Sequence, residues 1–246
     1  MLVGIDVLGL GLSARIELPL PAHELDLSPD GSRAAVSFAG NGSVGLIELT
    51  SKTIAAVAPA GASAGPLLYR SDGLMLLVGD PSGRAMNILE AVDGRLVVRL
   101  PLAVRPENLC VAGGGGQVFV SGEGIDAVAV VYPYQSQVAA TIPAGKEPNY
   151  LAASGDTLLV TNPSSGDVTV LDILTSQAIA VIPVGRDPRF VTFTPDGGYA
   201  LVLNRESGDM AVIRMASLAG RRGRLAPLFT MFPVGSGPVS AAVRSV

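Results

Sequence analysis

The side chains best suited to chemistry are few in this sequence and lie far apart along it. His23 is the only histidine and Cys110 the only cysteine of the 246 residues. One imidazole cannot build a multi-histidine metal site, and any serine–histidine–acid triad would have to use His23. The glycine run 113–116 lacks the lysine and the following helix of a phosphate-binding loop. We therefore predict no catalytic residue, no metal site and no cofactor from these positions.

Two charged pairs occupy equivalent places in the sequence. Lys146-Glu147 and Arg186-Asp187 each follow a Pro-x-Gly sequence and each precede a proline. Such side chains could orient a charged ligand. They could equally form surface ion pairs, which contribute less than about 1 kcal/mol. The residues by themselves leave both interpretations open.

These pairs belong to a tandem repeat. A turn of the Asp-Gly type recurs every 40 to 43 residues, at 28–31, 71–73, 113–116, 154–156 and 194–197. A second element keeps the same period at 142–148, 182–188 and 232–238, where an apolar residue and a proline precede a glycine-containing loop and another proline. Two unrelated motifs with one period indicate a repeat fold.

Each repeat contains four short apolar runs bounded by turn residues, which predicts strands rather than helices. In the clearest repeat they are 150–153, 157–161, 167–173 and 177–183. Four strands in about 40 residues is the pattern of a β-propeller blade. The chain contains six first, six third and six fourth strands, but only five second strands. We therefore predict an all-β fold, a single six-bladed β-propeller over residues 1–246. Its closing blade would be three-stranded and shared between the termini, with 2–7, 14–18 and 239–243 in one sheet.

The composition limits the partners of the chain. Hydrophobic residues make up 48% of the sequence, but no apolar run approaches the roughly 18 residues of a membrane-spanning helix. The net charge of −4 offers no basic surface for nucleic acid. The N-terminal residues lack the basic region of a signal peptide. We expect neither a membrane span nor nucleic-acid binding, and the compartment and oligomeric state stay open.

The repeat closely resembles the YVTN-type (YncE-like) β-propeller repeat. The resemblance is carried by Leu-Leu-Val-Thr-Asn at 158–162, Gly-Asp-Val-Thr-Val-Leu-Asp at 166–172, Ala-Val-Ile-Pro-Val-Gly at 180–185 and Pro188. It covers essentially the whole chain and is weaker before Gln117, where the motif asparagine becomes Ala39 or Gly79. The lack of tryptophan separates the chain from typical WD40 repeats. The resemblance implies a bacterial or archaeal protein, often exported or surface-associated, that works by binding and not by one conserved reaction.

In such a propeller, the loops from strand four to the next strand one and from strand two to strand three share one face. Loops on a rigid scaffold are where function tends to lie. The candidate ligand-binding residues on this face are Arg105, Glu107, Asn108, Lys146, Glu147, Asn149, Tyr150, Arg186, Asp187, Arg189 and Arg205. We predict a non-catalytic scaffold that recognises a protein, peptide or glycan there. The alternative is a lactonase-like or other hydrolytic propeller, with channel-mouth carboxylates and a divalent ion as its means of catalysis. Its candidate carboxylates are Asp80, Glu107, Glu123 and Glu147.

Overall fold

A computed structural model of the chain describes residues 1–5, 12–38, 40–218 and 226–243. The regular structure of these residues is almost entirely β-strand. They form five antiparallel sheets of four strands and one sheet of two strands, and hydrogen-bonded neighbours are consecutive along the chain. Repeated meanders of this kind are the blades of a β-propeller. The predicted all-β, six-bladed propeller fold is therefore confirmed.

The strands follow chain order within each sheet. The N-terminal sheet contains β1 (Leu2–Ile5) and β2 (Leu12–Ile16). Blade one contains β3 (Ala22–Leu27), β4 (Arg33–Phe38), β5 (Ser43–Glu48) and β6 (Thr53–Pro59). Blade two contains β7 (Leu67–Tyr69), β8 (Met75–Asp80), β9 (Ala85–Glu90) and β10 (Leu96–Pro101). Blade three contains β11 (Arg105–Val111), β12 (Val118–Glu123), β13 (Ala127–Tyr132) and β14 (Gln137–Pro143).

The last two blades continue this pattern. Blade four contains β15 (Leu151–Ser154), β16 (Thr157–Asn162), β17 (Asp167–Asp172) and β18 (Gln177–Pro183). Blade five contains β19 (Pro188–Phe193), β20 (Tyr199–Asn204), β21 (Asp209–Arg214) and β22 (Leu228–Pro233). Two short 3-10 turns lie at Gly113–Gly115 and Met215–Ser217. Among the described residues, no helix is long and apolar enough to cross a membrane.

The turn between strands one and two owes its shape to an aspartate and a glycine. Asp30 Oδ1 accepts hydrogen bonds from Ser28 Oγ at 2.6 Å and from the Ser32 N–H at 3.0 Å. Gly31 follows with φ of 69°, a conformation that a residue without Cβ adopts at little cost. The bonds from Ser28 and Ser32 lower the pKa of the Asp30 carboxyl to about 2. The recurring Asp-Gly sequence is therefore a structural turn signal.

The chain divides into two compact units, residues 1–109 with 135–137 and residues 110–134 with 138–246. In the first unit, Ala35 and Leu46 of blade one pack with Leu67 and Leu76 of blade two. In the second unit, one cluster joins blades three and four, and another joins blades four and five. The second and third strands are the most buried, because each has a strand on both sides and side chains packed on both faces. Cys110 is half-buried in the second unit, and its burial raises the pKa of the thiol to about 11.

The closing sheet differs from the prediction. The N-terminal sheet has two strands among the described residues, and 239–243 form no strand. Residues 6 and 7 of the predicted strand lie outside the described residues. The reason is the strand order, since the first strand of every complete blade lies next to the second strand. Among the described residues there is no second strand for the closing blade, so a first strand at 239–243 has no second strand with which to pair.

Register also corrects one motif position. Asn162 pairs with Asp167 and Asn204 with Asp209 at the end of their second strands. Phe38 and Asp80 hold the same place, because they pair with Ser43 and Ala85. The motif asparagine is therefore replaced by Phe38 and Asp80, one residue away from the positions assigned by sequence.

Candidate functional site

Blades four and five place most of the predicted ligand residues at one end of neighbouring sheets. Loop A, residues 144–150, connects β14 to β15, and loop B, residues 184–187, connects β18 to β19. In an antiparallel meander, the turn between strands two and three lies at the same end as the end of strand four. The turns after β16 and β20 therefore lie beside the ends of β18 and β22 in their own blades.

Loop A is held by polar groups from two such turns. The Glu147 N–H donates to Asp126 Oδ1 at 3.2 Å, and Ser164 Oγ donates to the Glu147 carboxylate. The Gly145 N–H donates to Thr169 Oγ1 at 3.1 Å. A Cβ on Gly145 would stand 2.5 Å from Cγ of Asn162, so this position accepts only glycine without rearrangement. These contacts fix the backbone that carries the exposed Lys146.

Loop B repeats this arrangement with different side chains. The Arg186 N–H donates to Ser207 Oγ at 3.0 Å, and the Arg205 N–H donates to the Asp187 carbonyl at 2.9 Å. Arg189 Nε donates to Asp187 Oδ1 at 2.6 Å. Asp187 has a φ of 55°, and Glu147 at the equivalent place in loop A has 57°. The two loops therefore share one backbone conformation as well as one sequence pattern.

The buried asparagines beneath the loops have a structural role. Asn162 Nδ2 donates to Asp167 Oδ1 at 2.7 Å and to Thr169 Oγ1 at 2.8 Å. Asn204 Nδ2 donates to Asp209 Oδ1 at 2.6 Å. Both side chains are fully buried. They tie strand two to strand three directly below loops A and B.

An aromatic pair links loop A to β19, the strand that follows loop B. The rings of Tyr150 and Phe190 lie 4.9 Å apart between centroids, with 44° between their planes. The Tyr150 N–H donates to Thr161 Oγ1 at 3.0 Å, and Ser121 Oγ donates to the Asn149 carbonyl. Sequence reasoning missed Phe190, although it stands two residues after Pro188 just as Tyr150 stands two residues after Pro148. Aligning the repeats on these prolines finds it.

Several lysine and arginine residues lie near Tyr150 and Phe190 in the sequence, and their side chains are exposed. Arg186 Nε lies 3.7 Å from Glu206 Oε2, and both side chains are mostly exposed. Within the described part of the chain, neither Lys146 nor Arg205 makes an ion pair. The loop end of blades four and five thus combines partly paired and unpaired positive charge with an aromatic pair.

Eight of the eleven predicted residues belong to the second unit: Lys146, Glu147, Asn149, Tyr150, Arg186, Asp187, Arg189 and Arg205. The other three belong to the first unit, where Arg105 begins β11 and Glu107 and Asn108 lie within it.

Asp80 has a structural role in the first unit. Its buried carboxylate accepts hydrogen bonds from the N–H groups of Ala62, Ser63 and Gly83, at 2.9 to 3.0 Å, and from Ser63 Oγ. Burial opposes ionisation of Asp80, but the bonds from the Ala62, Gly83 and Ser63 backbones outweigh it and hold the pKa below its usual range. These donors occupy both carboxylate oxygens. Asp80 therefore fixes the loop from β6 to β7.

The remaining candidate carboxylates of the hydrolytic alternative lie on other elements of the fold. Glu107 lies on β11 of the first unit, and Glu123 and Glu147 lie in the second unit. The Glu147 carboxylate accepts a hydrogen bond from Ser164. His23 is exposed near the start of β3. Among the described residues, no three His, Cys, Asp or Glu side chains group so that they could hold a metal ion.

Comparisons with known proteins give the fold of the chain. No protein family model matches it, and no curated protein sequence matches it. A functionally unknown protein from Desulfotomaculum acetoxidans matches with a TM-score of 0.78 and 12% identity, over 96% of this chain and 77% of that chain. The Cps50 (Swd1) β-propeller domain of Myceliophteria thermophila matches with a TM-score of 0.72 and 15% identity, over 89% and 73%. The hydrazine synthase of Kuenenia stuttgartiensis matches with a TM-score of 0.71 and 18% identity, over 82% of this chain and 66% of that chain. At these identities the likeness shows the fold alone, which is that of a β-propeller.

Proposed function

We propose that this chain is a non-catalytic propeller of the YVTN type (YncE-like) that binds a polypeptide partner through the loop end of blades four and five. The repeat resemblance supports the family and a bacterial or archaeal source. It also supports a periplasmic or extracellular compartment. The partner is a protein or peptide, and a glycan is the outcome that the test below must separate from it.

The observation that carries the proposal is the Tyr150–Phe190 ring pair beside exposed arginines. Aromatic side chains and arginine are enriched in interface hot spots, because they bury large areas and donate several hydrogen bonds. Arg189 precedes Phe190 directly, and its ion pair with Asp187 holds the guanidinium at the loop. The ring pair supplies the apolar centre, and Lys146, Arg186 and Arg205 supply a positive border that favours an acidic sequence in the partner.

The rigidity of the two loops supports recognition without large rearrangement. Loop A is bonded to Asp126, Ser164 and Thr169, and loop B is bonded to Ser207. A binding surface that is already ordered loses less conformational entropy when the partner arrives. The proposed binding surface is therefore ordered before the partner binds.

The test is a binding screen of the purified chain against a peptide library and a glycan array. We expect saturable binding of acidic peptides, weakened at least tenfold by Arg205→Gln. The matched control is Gln177→Glu, which changes the net charge by the same amount on an exposed residue at the opposite end of blade four. Equal weakening by both variants would show a nonspecific charge effect and would contradict the proposal. Glycan binding with the same sensitivity to Arg205→Gln would replace the polypeptide partner. Turnover of a lactone or ester that is lost in Glu147→Gln would contradict the non-catalytic assignment.

A further inference from the structure

An apolar cleft of about 280 Å³ lies between the N-terminal sheet and blade one. Leu2, Ala14 and Ile16 line it from the N-terminal sheet, and Leu25 and Leu27 line it from β3. Leu25 and Leu27 are 39% and 51% exposed. Large apolar side chains grouped around one cleft mark an interaction site more often than single exposed ones do.

The same register position is buried in blades two, four and five. Leu25 pairs with Val36 of its second strand, and Leu67, Leu151 and Val191 pair with the corresponding valines of theirs. These three residues are only 3%, 4% and 1% exposed. Leu25 therefore differs from its equivalents in its surroundings and not in its place within the blade.

A second-strand residue of the preceding blade covers each equivalent. Ala35 belongs to the cluster of Leu67, Phe119 to that of Leu151, and Leu159 to that of Val191. All three covering residues are fully buried. The N-terminal sheet precedes blade one and ends at the loop into β3, so β1 and β2 correspond to third and fourth strands. Among the described residues this sheet has no second strand, and no residue of such a strand lies over Leu25.

One edge of β1 has no hydrogen-bonded neighbour among the described residues. In each complete blade the third strand is hydrogen-bonded on both sides, whereas β1 is bonded to β2 alone among the described residues. An unpaired strand edge offers backbone donors and acceptors to another extended chain. Peptides bind to sheet edges in this way, with backbone bonds for affinity and side-chain pockets for specificity.

We propose that an extended segment of a partner polypeptide binds along β1 as the missing second strand. The second strands of the complete blades indicate which kind of segment fits here. They are six residues long, mostly apolar and antiparallel to strand three. The bound segment has an apolar residue over Leu25, in the place of Ala35, Phe119 or Leu159. Among the described residues the chain itself has no strand left for this role, since every second strand belongs to a complete blade and 239–243 form none.

The experiment measures binding of a fluorescein-labelled synthetic peptide with the sequence of residues 156–163 to the whole chain. This peptide copies β16, the second strand of blade four. We expect saturable binding that Leu25→Glu and Leu27→Lys each weaken at least tenfold. The control variant is Leu174→Glu, because Leu174 is 75% exposed in the hairpin after β17, and it leaves the affinity unchanged. The control peptide carries proline in place of Val160 and loses a backbone donor in mid-strand.

Two variants keep the test independent of folding, since both leucines are exposed and circular dichroism checks each protein. Equal affinity for the two peptides, or unchanged affinity in both cleft variants, would overturn the proposal. Concentration-dependent dimerisation that Leu25→Glu abolishes and that excludes the peptide would also overturn it, because the occupant would then be a second copy of the chain.

Discussion

The first strands β3 and β7 have the same register in their blades but different surroundings. Leu25 and Leu27 of β3 occupy the places of Leu67 and Tyr69 of β7. The pair on β7 is buried against blade one, whereas the pair on β3 is exposed at the cleft. The sequences of the two strands do not account for this, because leucine is present at the first position of both. The burial of Leu67 and the exposure of Leu25 therefore depend on the sheet that precedes each strand.

The opposite face of β3 joins the two strands. Side chains alternate along a strand, so Glu24 and Asp26 point away from Leu25 and Leu27. Asp26 Oδ2 accepts a hydrogen bond from the Tyr69 N–H at 2.7 Å. Burial raises the pKa of Glu24, although a hydrogen bond with the Leu67 backbone partly offsets this. Carboxylates of one first strand thus satisfy backbone donors of the next, which β7 as an edge strand cannot satisfy within its own sheet.

The largest expected effect separates the two leucines. Leu67→Ala removes a buried side chain from a packed cluster and should lower the free energy of unfolding by about 2–5 kcal/mol. Leu25→Ala, the matched change on β3, should cost about 1 kcal/mol or less. Urea denaturation of both variants measures the difference. Equal losses would mean that the cleft is closed in solution and that the comparison between β3 and β7 fails.

A smaller effect is expected from the bond between the strands. Asp26→Ala leaves the Tyr69 N–H without its carboxylate acceptor and should lower the free energy of unfolding by about 1.5–3 kcal/mol. Asp26→Asn keeps an oxygen acceptor of the same shape and should lose less. Denaturation in urea, with hydrogen exchange of the Tyr69 amide, provides the measurement. Equal losses for Asp26→Ala and Asp26→Asn would mean that the hydrogen bond from the Tyr69 N–H to Asp26 does not stabilise the contact between β3 and β7.

Much of the fold could be predicted because its causes are local. Strands of alternating apolar residues and turns such as the one at Asp30 are visible in the repeat, and the predicted strand at 177–183 is that of β18. The strand count already indicates that the closing blade lacks a second strand. The exposure of Leu25 that results could be found only from the packing of the N-terminal sheet against blade one. The closing strand at 239–243 was wrong because, among the described residues, it has no second strand with which to pair.

The candidate site could be predicted to about the same extent as the fold. Loops A and B share a proline pattern, which brought Glu147 and Asp187 to attention as equivalent residues. The Tyr150–Phe190 pair required knowledge of which blades are packed together. Asp80 was taken as a possible catalytic carboxylate because its type and loop fit that role, but its backbone donors come from a segment seventeen and eighteen residues away. Long-range hydrogen bonds of this kind leave no periodic signal.

The smallest effect has the opposite sign and concerns Tyr69. Its hydroxyl is buried, and no described residue hydrogen-bonds to it. Tyr69→Phe removes an unsatisfied polar group and should raise the free energy of unfolding by up to about 1 kcal/mol at neutral pH. The matched variant on β3 is Leu27→Ala, at the equivalent but exposed position. It should change the free energy of unfolding only slightly and should not raise it.

Alkaline pH gives Tyr69 a second signature. Burial raises the pKa of its phenol to about 12, whereas a tyrosine in the unfolded chain ionises near pH ~10. The folded state therefore keeps a proton that the unfolded state loses, so this residue reduces stability as the pH rises from 10 to 12. Denaturation curves of the natural chain and Tyr69→Phe should diverge further in that range. Parallel curves would mean that the phenol is reached by water, and β7 would then be no better covered than β3.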